Sequence, residues 1–122
     1  MSKTILIVED DVQVRDLLKL VLSAAGFELI EAEDGTRGLT MLRKHRGRVA
    51  AILTDVDMGR MNGIEFGELA REQFPEVPIL FLSALPVPSA ELQRAVPGST
   101  FVSKPFDSAA LVQTVRGLVE KP

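Results

Sequence analysis

The sequence predicts a doubly wound α/β fold, in which a five-stranded parallel sheet lies between two layers of helices. Two observations support this prediction. Short apolar runs alternate five times with stretches of helical spacing, and the connections between them are short. The first run, Thr4–Val8, is apolar or β-branched throughout, which is typical of a strand that is buried on both faces.

The elements follow in order along the chain. Strands are predicted at residues 4–8, 28–32, 49–54, 79–82 and 100–103. Asp11 is expected to cap a helix that runs to residue 25 and ends at Gly26, and Asp107 to cap the last helix. The remaining helices are predicted at residues 36–46, 64–74 and 89–96, of which the last is the weakest because three prolines flank it: Pro86, Pro88 and Pro97. The expected architecture is flavodoxin-like, with strand order 2-1-3-4-5 and five helices in three α/β/α layers.

Length and composition restrict the possible functions. The 122 residues are expected to form a single domain, with a net charge of -3 that argues against direct nucleic-acid binding. The absence of cysteine fits a reducing cytoplasm, and no apolar stretch is long enough to cross a membrane. The basic cluster at residues 43–48 is expected to be a solvated helix end, with His45, the single histidine, exposed.

Polar side chains follow the ends of four predicted strands. Glu9 and Asp10 follow the first strand, Asp55 the third, Ser83 the fourth and Lys104 the fifth. Because the carboxyl ends of parallel strands share one edge of a sheet, these groups are expected to converge there. Carboxylates favour Mg²⁺, and an ammonium and a hydroxyl suit phosphoryl oxygens. An aspartate at this edge could accept a phosphoryl group as an acyl phosphate.

Each of these residues also has a plainer interpretation. Acids at strand ends often cap helices, and that role alone is expected for Asp11. Ser83 could likewise be a helix cap, and Lys104 a surface lysine. The Lys104–Pro105 bond is a candidate cis peptide that would fix the direction of the lysine.

Several motifs in this order resemble the receiver domain of bacterial two-component response regulators over nearly the whole chain. The matching stretches lie at residues 5–11, 33–35, 55–63, 82–84 and 104–106. The resemblance implies a single receiver domain over residues 1–122, without an output domain in this chain. It also implies a signalling switch rather than an enzyme, with a sensor histidine kinase or a histidine phosphotransfer protein as partner and an unknown protein downstream.

The resemblance also implies a role for each site residue. Asp55 would accept a phosphoryl group from a phosphohistidine on the partner, and the other groups would assist. Glu9, Asp10, Asp55 and the backbone carbonyl of Asp57 would hold Mg²⁺. Ser83 and Lys104 would bind the phosphoryl oxygens. Movement of Ser83 would let Phe101 turn inward and so change the face that is formed by the fourth helix, the fifth strand and the fifth helix.

The chain departs from the usual receiver pattern at several positions. Gly59 stands where proline is usual, Phe101 where tyrosine is frequent, and the fourth helix is flanked by prolines. Asp57 adds an acid two residues after Asp55. We therefore expect Asp57 either to position a hydrolytic water or to add a metal contact.

Parts of the sequence are also compatible with three other functions. Asp55-Val56-Asp57 is similar to the nucleophile motif of Mg²⁺-dependent aspartyl-phosphate phosphatases of the haloacid dehalogenase type, but it follows the third strand rather than the first. A receiver-like docking module that is never phosphorylated is a second alternative. Flavin binding is a third, although the phosphate loop after the first strand is missing.

Overall fold

A computed structural model describes residues 2–58, 61–84 and 89–120 of the chain. Strands and helices alternate through these residues in the predicted order. The strands are β1 (Thr4–Val8), β2 (Glu28–Ala32), β3 (Val49–Asp55), β4 (Ile79–Ser83) and β5 (Thr100–Ser103). The helices are α1 (Val12–Ala24), α2 (Gly35–Lys44), α3 (Gly63–Gln73), α4 (Ser89–Ala95) and α5 (Ser108–Glu120).

The strands form one parallel sheet in the order β2-β1-β3-β4-β5. This is the flavodoxin-like topology that was predicted, and it makes β1 and β3 neighbours at the centre of the sheet. The carboxyl ends of the strands therefore form a common edge, which we call the carboxyl edge.

Alternate side chains of the central strands pack on opposite faces of the sheet. Leu6 and Val8 belong to a core cluster with Leu39, Phe66 and Leu92, which lie on α2, α3 and α4. The other cluster joins Ile5 and Ile7 to buried side chains of α1 and α5: Leu18, Leu22, Leu111 and Val115. Burial on both faces explains why β1 is apolar along its whole length.

Short polar side chains determine where the helices begin. Asp11 accepts hydrogen bonds from the backbone of Gln13 at 2.9 Å and of Val14 at 3.3 Å, so its predicted role as the cap of α1 is confirmed. The predicted cap at Asp107 is also confirmed, because its carboxylate accepts from the backbone of Ala110 at 3.3 Å. Gly26 follows α1 with a φ of 97°, a left-handed conformation that favours glycine.

The structure corrects the predicted bounds of α2. The helix that was predicted to begin at residue 36 already begins at Gly35, because Asp34 accepts a hydrogen bond from the backbone of Arg37 at 2.7 Å and caps it. The helix ends at Lys44 rather than at residue 46, and His45 follows it as the capping residue. His45 is half-buried rather than exposed as predicted, because it lies at the junction of α2 with the sheet.

The predicted fourth helix is present as α4, which has seven residues. Pro86 and Pro88, on which part of that prediction rested, lie outside the described residues. No helix in the described ranges has the length and the apolar character that crossing a bilayer requires.

Candidate functional site

The site residues are fixed in place by the ends of the central strands. Asp55 and Ser83 are the last residues of β3 and β4, one residue further into the sheet than predicted. Residue 55 pairs with Leu82 across the two strands, and the backbone N–H of Lys104 donates to the Ser83 carbonyl oxygen at 2.9 Å. Since the regular hydrogen-bonded pairing of the strands extends to Asp55 and Ser83, the sheet holds the backbone of both residues in place.

Three carboxylates converge at the carboxyl edge. Glu9, Asp10 and Asp55 each offer an oxygen, and these oxygens lie within 4.8 Å of one another. Glu9 is 1% exposed and Asp55 is 6% exposed, whereas Asp10 faces solvent. The structure thus brings together the predicted acids, with one side open to water.

Lys104 reaches the same cluster from β5. Its Nζ lies 2.9 Å from Glu9 Oε1 and 3.4 Å from Asp55 Oδ1, and its side chain is 15% exposed. The Lys104–Pro105 bond is cis, which confirms that prediction. A cation and three carboxylates from distant parts of the sequence therefore form one charged cluster.

Burial determines the charge state of Glu9. Removal from water and the nearby carboxylate of Asp55 together raise the pKa of Glu9 to about 7, although the hydrogen bond and the positive charge of Lys104 act in the opposite direction. Burial alone would lower the pKa of Lys104, but the hydrogen bond and the charge of Glu9, together with Asp55, raise it overall. In the metal-free protein Glu9 is thus a carboxyl group that holds its proton unusually well.

The acidic cluster fits a hard divalent cation. Mg²⁺ prefers one or two carboxylates with water and phosphate oxygens, and the exposed side at Asp10 leaves room for such ligands. A cation here would also relieve the repulsion that disfavours ionised Glu9 beside Asp55. Asp57 is exposed at the rim of the site, where its backbone N–H lies 3.3 Å from Asp55 Oδ1.

The start of α3 packs tightly against the end of β3. The N–H of Gly63 donates to the Val56 carbonyl oxygen at 2.8 Å, and that of Val56 donates to the Leu82 carbonyl oxygen at 2.9 Å. A Cβ atom at position 63 would lie 1.9 Å from the backbone oxygen of Asp55. Gly63 therefore packs directly against the strand end that carries Asp55.

Ser83 and Phe101 occupy neighbouring strands. Ser83 is 1% exposed at the end of β4, beside the carboxyl edge. Phe101 pairs with Phe81 across β4 and β5 and packs half-buried against the core. Gly59, which was singled out in the sequence, lies outside the described residues.

Sequence reasoning missed Arg15, which contacts the backbone of the acidic cluster. Its Nη1 donates to the Glu9 carbonyl oxygen at 2.7 Å. The sequence did contain one indication of this contact. A cation close to a helix N-terminus is unfavourable because it opposes the helix dipole, and Arg15 lies near the start of α1.

Known proteins resemble this chain over nearly its whole length. Residues 5–116 match the model of the response regulator receiver domain family. The chain is 32% identical over 116 residues to the uncharacterized transcriptional regulatory protein YbdJ of Bacillus subtilis, an alignment that covers 95% of this chain and 50% of YbdJ. It is 33% identical over 121 residues to the transcriptional regulatory protein GlrR of Escherichia coli, covering 96% of this chain and 26% of GlrR. The chain thus spans half or less of the length of these relatives.

Solved structures show the same architecture. The chemotaxis protein CheY4 of Vibrio cholerae superposes with a TM-score of 0.88 at 30% identity, covering 97% of this chain and 99% of CheY4. The response regulator TrrA of Thermotoga maritima, in complex with Mg²⁺-BeF, superposes with a TM-score of 0.85 at 27% identity, covering 95% of this chain and 98% of TrrA.

The family match, the sheet order and the acidic cluster lead to the same conclusion. The cluster is compatible with Mg²⁺ and with phosphorylation. The chain belongs to the family of response regulator receiver domains of two-component signalling systems.

Proposed function

We propose that Asp55 is the phosphoryl acceptor of this receiver domain and that the donor is a phosphohistidine on a sensor histidine kinase or a histidine phosphotransfer protein. One observation carries the proposal. The Asp55 carboxylate has an oxygen within 4.8 Å of oxygens of the Glu9 and Asp10 carboxylates, and the Lys104 ammonium lies 3.4 Å from Asp55 Oδ1. Receiver domains are signalling switches that work with such histidine proteins.

In the proposed step, a carboxylate oxygen of Asp55 attacks the phosphorus of the phosphohistidine. The new P–O bond forms as the P–N bond breaks, and the imidazole of the donor keeps the electron pair of that bond. Such transfers depend mainly on alignment and on neutralising charge. The buried, strand-fixed position of Asp55 supplies the alignment.

The residues that would hold Mg²⁺ are the side chains of Glu9, Asp10 and Asp55 and the backbone carbonyl of Asp57. When bound, the cation would neutralise charge on the phosphoryl oxygens. Glu9 must give up its proton to serve as a ligand, and its raised pKa makes that ionisation depend on the cation.

Lys104 and Ser83 would bind the oxygens of the phosphoryl group after transfer. Lys104 already contacts the carboxylate that would be modified, and its N–H is tied to the Ser83 carbonyl oxygen. A charge-assisted hydrogen bond from the ammonium and one from the hydroxyl would hold the new anion at the edge of β4 and β5.

The phosphoryl group would then change the face formed by α4, β5 and α5. Phe101 lies two residues along β5 from the partner of Ser83, and it is half-buried. A shift of Ser83 towards the phosphoryl oxygens would let Phe101 turn inward and alter the surface that a downstream protein reads.

The proposal has consequences for the wider role of the chain. It would act in the cytoplasm as one receiver domain over residues 1–122, without direct contact with nucleic acid or membrane. It would take part in its own phosphoryl transfer and in the loss of the phosphoryl group, without turnover of a separate substrate.

Intact-mass measurement with a small phosphodonor and Mg²⁺ tests the proposal. The wild-type chain should gain one phosphoryl group, and Asp55→Asn should gain none. Metal removal by a chelator should abolish the gain in the wild type. A wild-type chain that stays unmodified would instead favour the docking module, and steady release of phosphate from a small ester would favour the phosphatase.

A further inference from the structure

Arg15 connects the ends of two neighbouring strands. Its Nη1 donates to the carbonyl oxygen of Glu9 at 2.7 Å, directly after β1, and its Nε donates to Glu31 Oε1 at 3.2 Å, in β2. The side chain is 16% exposed. Because helical side chains lean towards the N-terminus of their helix, a residue near the start of α1 is suited to reach back to β1.

Each polar group of Glu9 has a hydrogen-bond partner, and the four partners are four different residues, from the start of α1, the end of β2 and the segment after β5. Its N–H donates to the Ala32 carbonyl oxygen at 3.0 Å, and its carbonyl accepts from Arg15. Oε1 accepts from Lys104 at 2.9 Å, and Oε2 accepts from the N–H of Asp11 at 3.3 Å. Such complete pairing fixes both the backbone and the carboxylate of Glu9.

Arg15 takes the place of a strand partner. The N–H of Glu9 points to β2, and the carbonyl of a residue in a parallel strand points to the same side. The pairing of β1 with β2 ends at Val8 and Ala32, so this carbonyl lies just past the regular ladder. A part-buried carbonyl requires a donor, and the guanidinium supplies one. The Nε of the same guanidinium donates to Glu31 Oε1, and Lys19 binds the other oxygen of that carboxylate at 3.0 Å.

We propose that Arg15 is a positioning residue for the metal site, because it sets the direction in which the carboxylates of Glu9 and Asp10 leave β1. The inference rests on the proposed function only in taking these two carboxylates as metal ligands. Its physical basis is the rigid fork of the guanidinium, which binds the Glu9 carbonyl and the Glu31 carboxylate at once. A lysine has one ammonium and can satisfy only part of this arrangement.

Titration of the metal-free protein with Mg²⁺ alone tests the inference. Loss of a group that orients metal ligands typically weakens metal binding by about 10- to 100-fold. We expect Arg15→Ala to weaken Mg²⁺ binding by about tenfold, and Arg15→Lys to give an intermediate affinity. Calorimetry gives the affinity, and the amide resonances of Asp10 and Asp11 report whether the same site is filled.

Lys19→Ala is the matched control. It removes the other cation on Glu31 and leaves the hydrogen bond from Arg15 to Glu9 intact, so Mg²⁺ affinity should stay at the wild-type value. Thermal unfolding of all variants without metal separates positioning from general stability. Arg15→Lys keeps the charge and most of the side-chain volume, so the comparison stands even if Arg15→Ala does not fold.

Wild-type affinity in the Arg15 variants, or an equal loss in Lys19→Ala, would overturn the inference. No Mg²⁺ binding by the wild type would overturn it as well. Failure of the proposed function would give a different result from failure of this inference. In that case the wild type would bind Mg²⁺ and Arg15→Ala would bind it more weakly, but the phosphodonor would leave Asp55 unmodified.

Discussion

Glu9 is the residue whose chemistry depends most on its surroundings. It is buried at the end of the central strand, next to Asp55, and Lys104 neutralises it only in part. Its pKa of about 7 lies far above the ordinary value of 4.5. The same carboxyl group is therefore protonated readily in the metal-free protein and is well placed to become a metal ligand when a divalent cation competes for it.

This coupling predicts how stability depends on pH. Because folding raises the pKa of Glu9, the folded state binds the proton more tightly than the unfolded state between pH 4.5 and about 7. The contribution is fully present below the unfolded pKa and is lost as pH rises through the folded pKa, at a cost on the order of 3 kcal/mol. Mg²⁺ should therefore raise the melting temperature more at about pH 8 than at about pH 5.

Glu9→Gln is the control for this prediction, because it removes the titrating proton and keeps the shape of the side chain. Calorimetric melting curves of both proteins, with and without Mg²⁺, supply the comparison. An equal Mg²⁺ effect at both pH values in the wild type would show that Glu9 does not titrate in this range.

Asp57 allows a second prediction at the residue scale. Its backbone N–H is close to Asp55 Oδ1, and its side chain is exposed at the rim of the site, where water has access. If the carboxylate positions the water that attacks the acyl phosphate, Asp57→Ala should lengthen the lifetime of phosphorylated Asp55 by a few-fold. Decay of the phosphorylated mass after removal of the donor measures this. Identical lifetimes would exclude a role for this side chain in hydrolysis.

The convergence of the site residues could be predicted because the sequence shows which polar residues follow the ends of the strands. Polar residues that follow apolar runs must lie at the carboxyl edge of a parallel sheet, and Glu9, Asp55 and Lys104 are found there. The contact of Arg15 could not be predicted in this way. Whether the Glu9 carbonyl lacks a strand partner depends on where the pairing of β1 ends, and no sequence pattern gives that register.

At the scale of elements, the start of α3 at Gly63 is packed tightly against the end of β3. Gly63 begins α3 directly against the backbone of Asp55. The contact is made with backbone rather than with a flexible side chain, so relief requires movement of the strand end itself. The acceptor carboxylate and the start of α3 are thus mechanically linked.

Gly63→Ala should therefore lower stability and impair phosphorylation together. Overpacking of this kind costs about 1–3 kcal/mol, and here the displaced atoms belong to Asp55. Gly117→Ala in α5 is the control, because a Cβ atom there meets nothing within 4 Å. That variant should gain about 0.5–1 kcal/mol from the higher helix propensity of alanine. Chemical denaturation of both variants tests this, and a neutral Gly63→Ala would contradict it.

Sequence periodicity and caps account for most of the element bounds. Thr4–Val8 and Glu28–Ala32 lie where they were predicted, because apolar runs between turn residues define strands well. The bounds of α2 were wrong because Asp34-Gly35 reads equally well as a turn or as a cap followed by a first helical residue. The structure decides between them, because the Asp34 carboxylate accepts from the N–H of Arg37 and so caps a helix that begins at Gly35.

At the scale of the whole molecule, the proposed phosphoryl site and the face formed by α4, β5 and α5 lie on neighbouring strands of one sheet. Asp55 ends β3, Ser83 ends β4, and Lys104 follows β5. A phosphoryl group on Asp55 would therefore contact residues at the ends of three adjacent strands. The backbone hydrogen bond from Lys104 to Ser83 ties the last two strands together at the site. β5 is the least buried of these strands and lies at the edge of the sheet, where small shifts cost least.

The central claim is that Asp55 itself becomes an acyl phosphate, and chemical trapping tests it most directly. Borohydride reduces an acyl phosphate to an alcohol and releases phosphate, while an unmodified carboxylate is left intact. After incubation with phosphodonor and Mg²⁺, peptide mass spectrometry should find a reduced side chain at residue 55 and at no other acid. Reduction at Asp10 or Asp57 instead, or at no residue of a folded, Mg²⁺-loaded chain, would contradict the account.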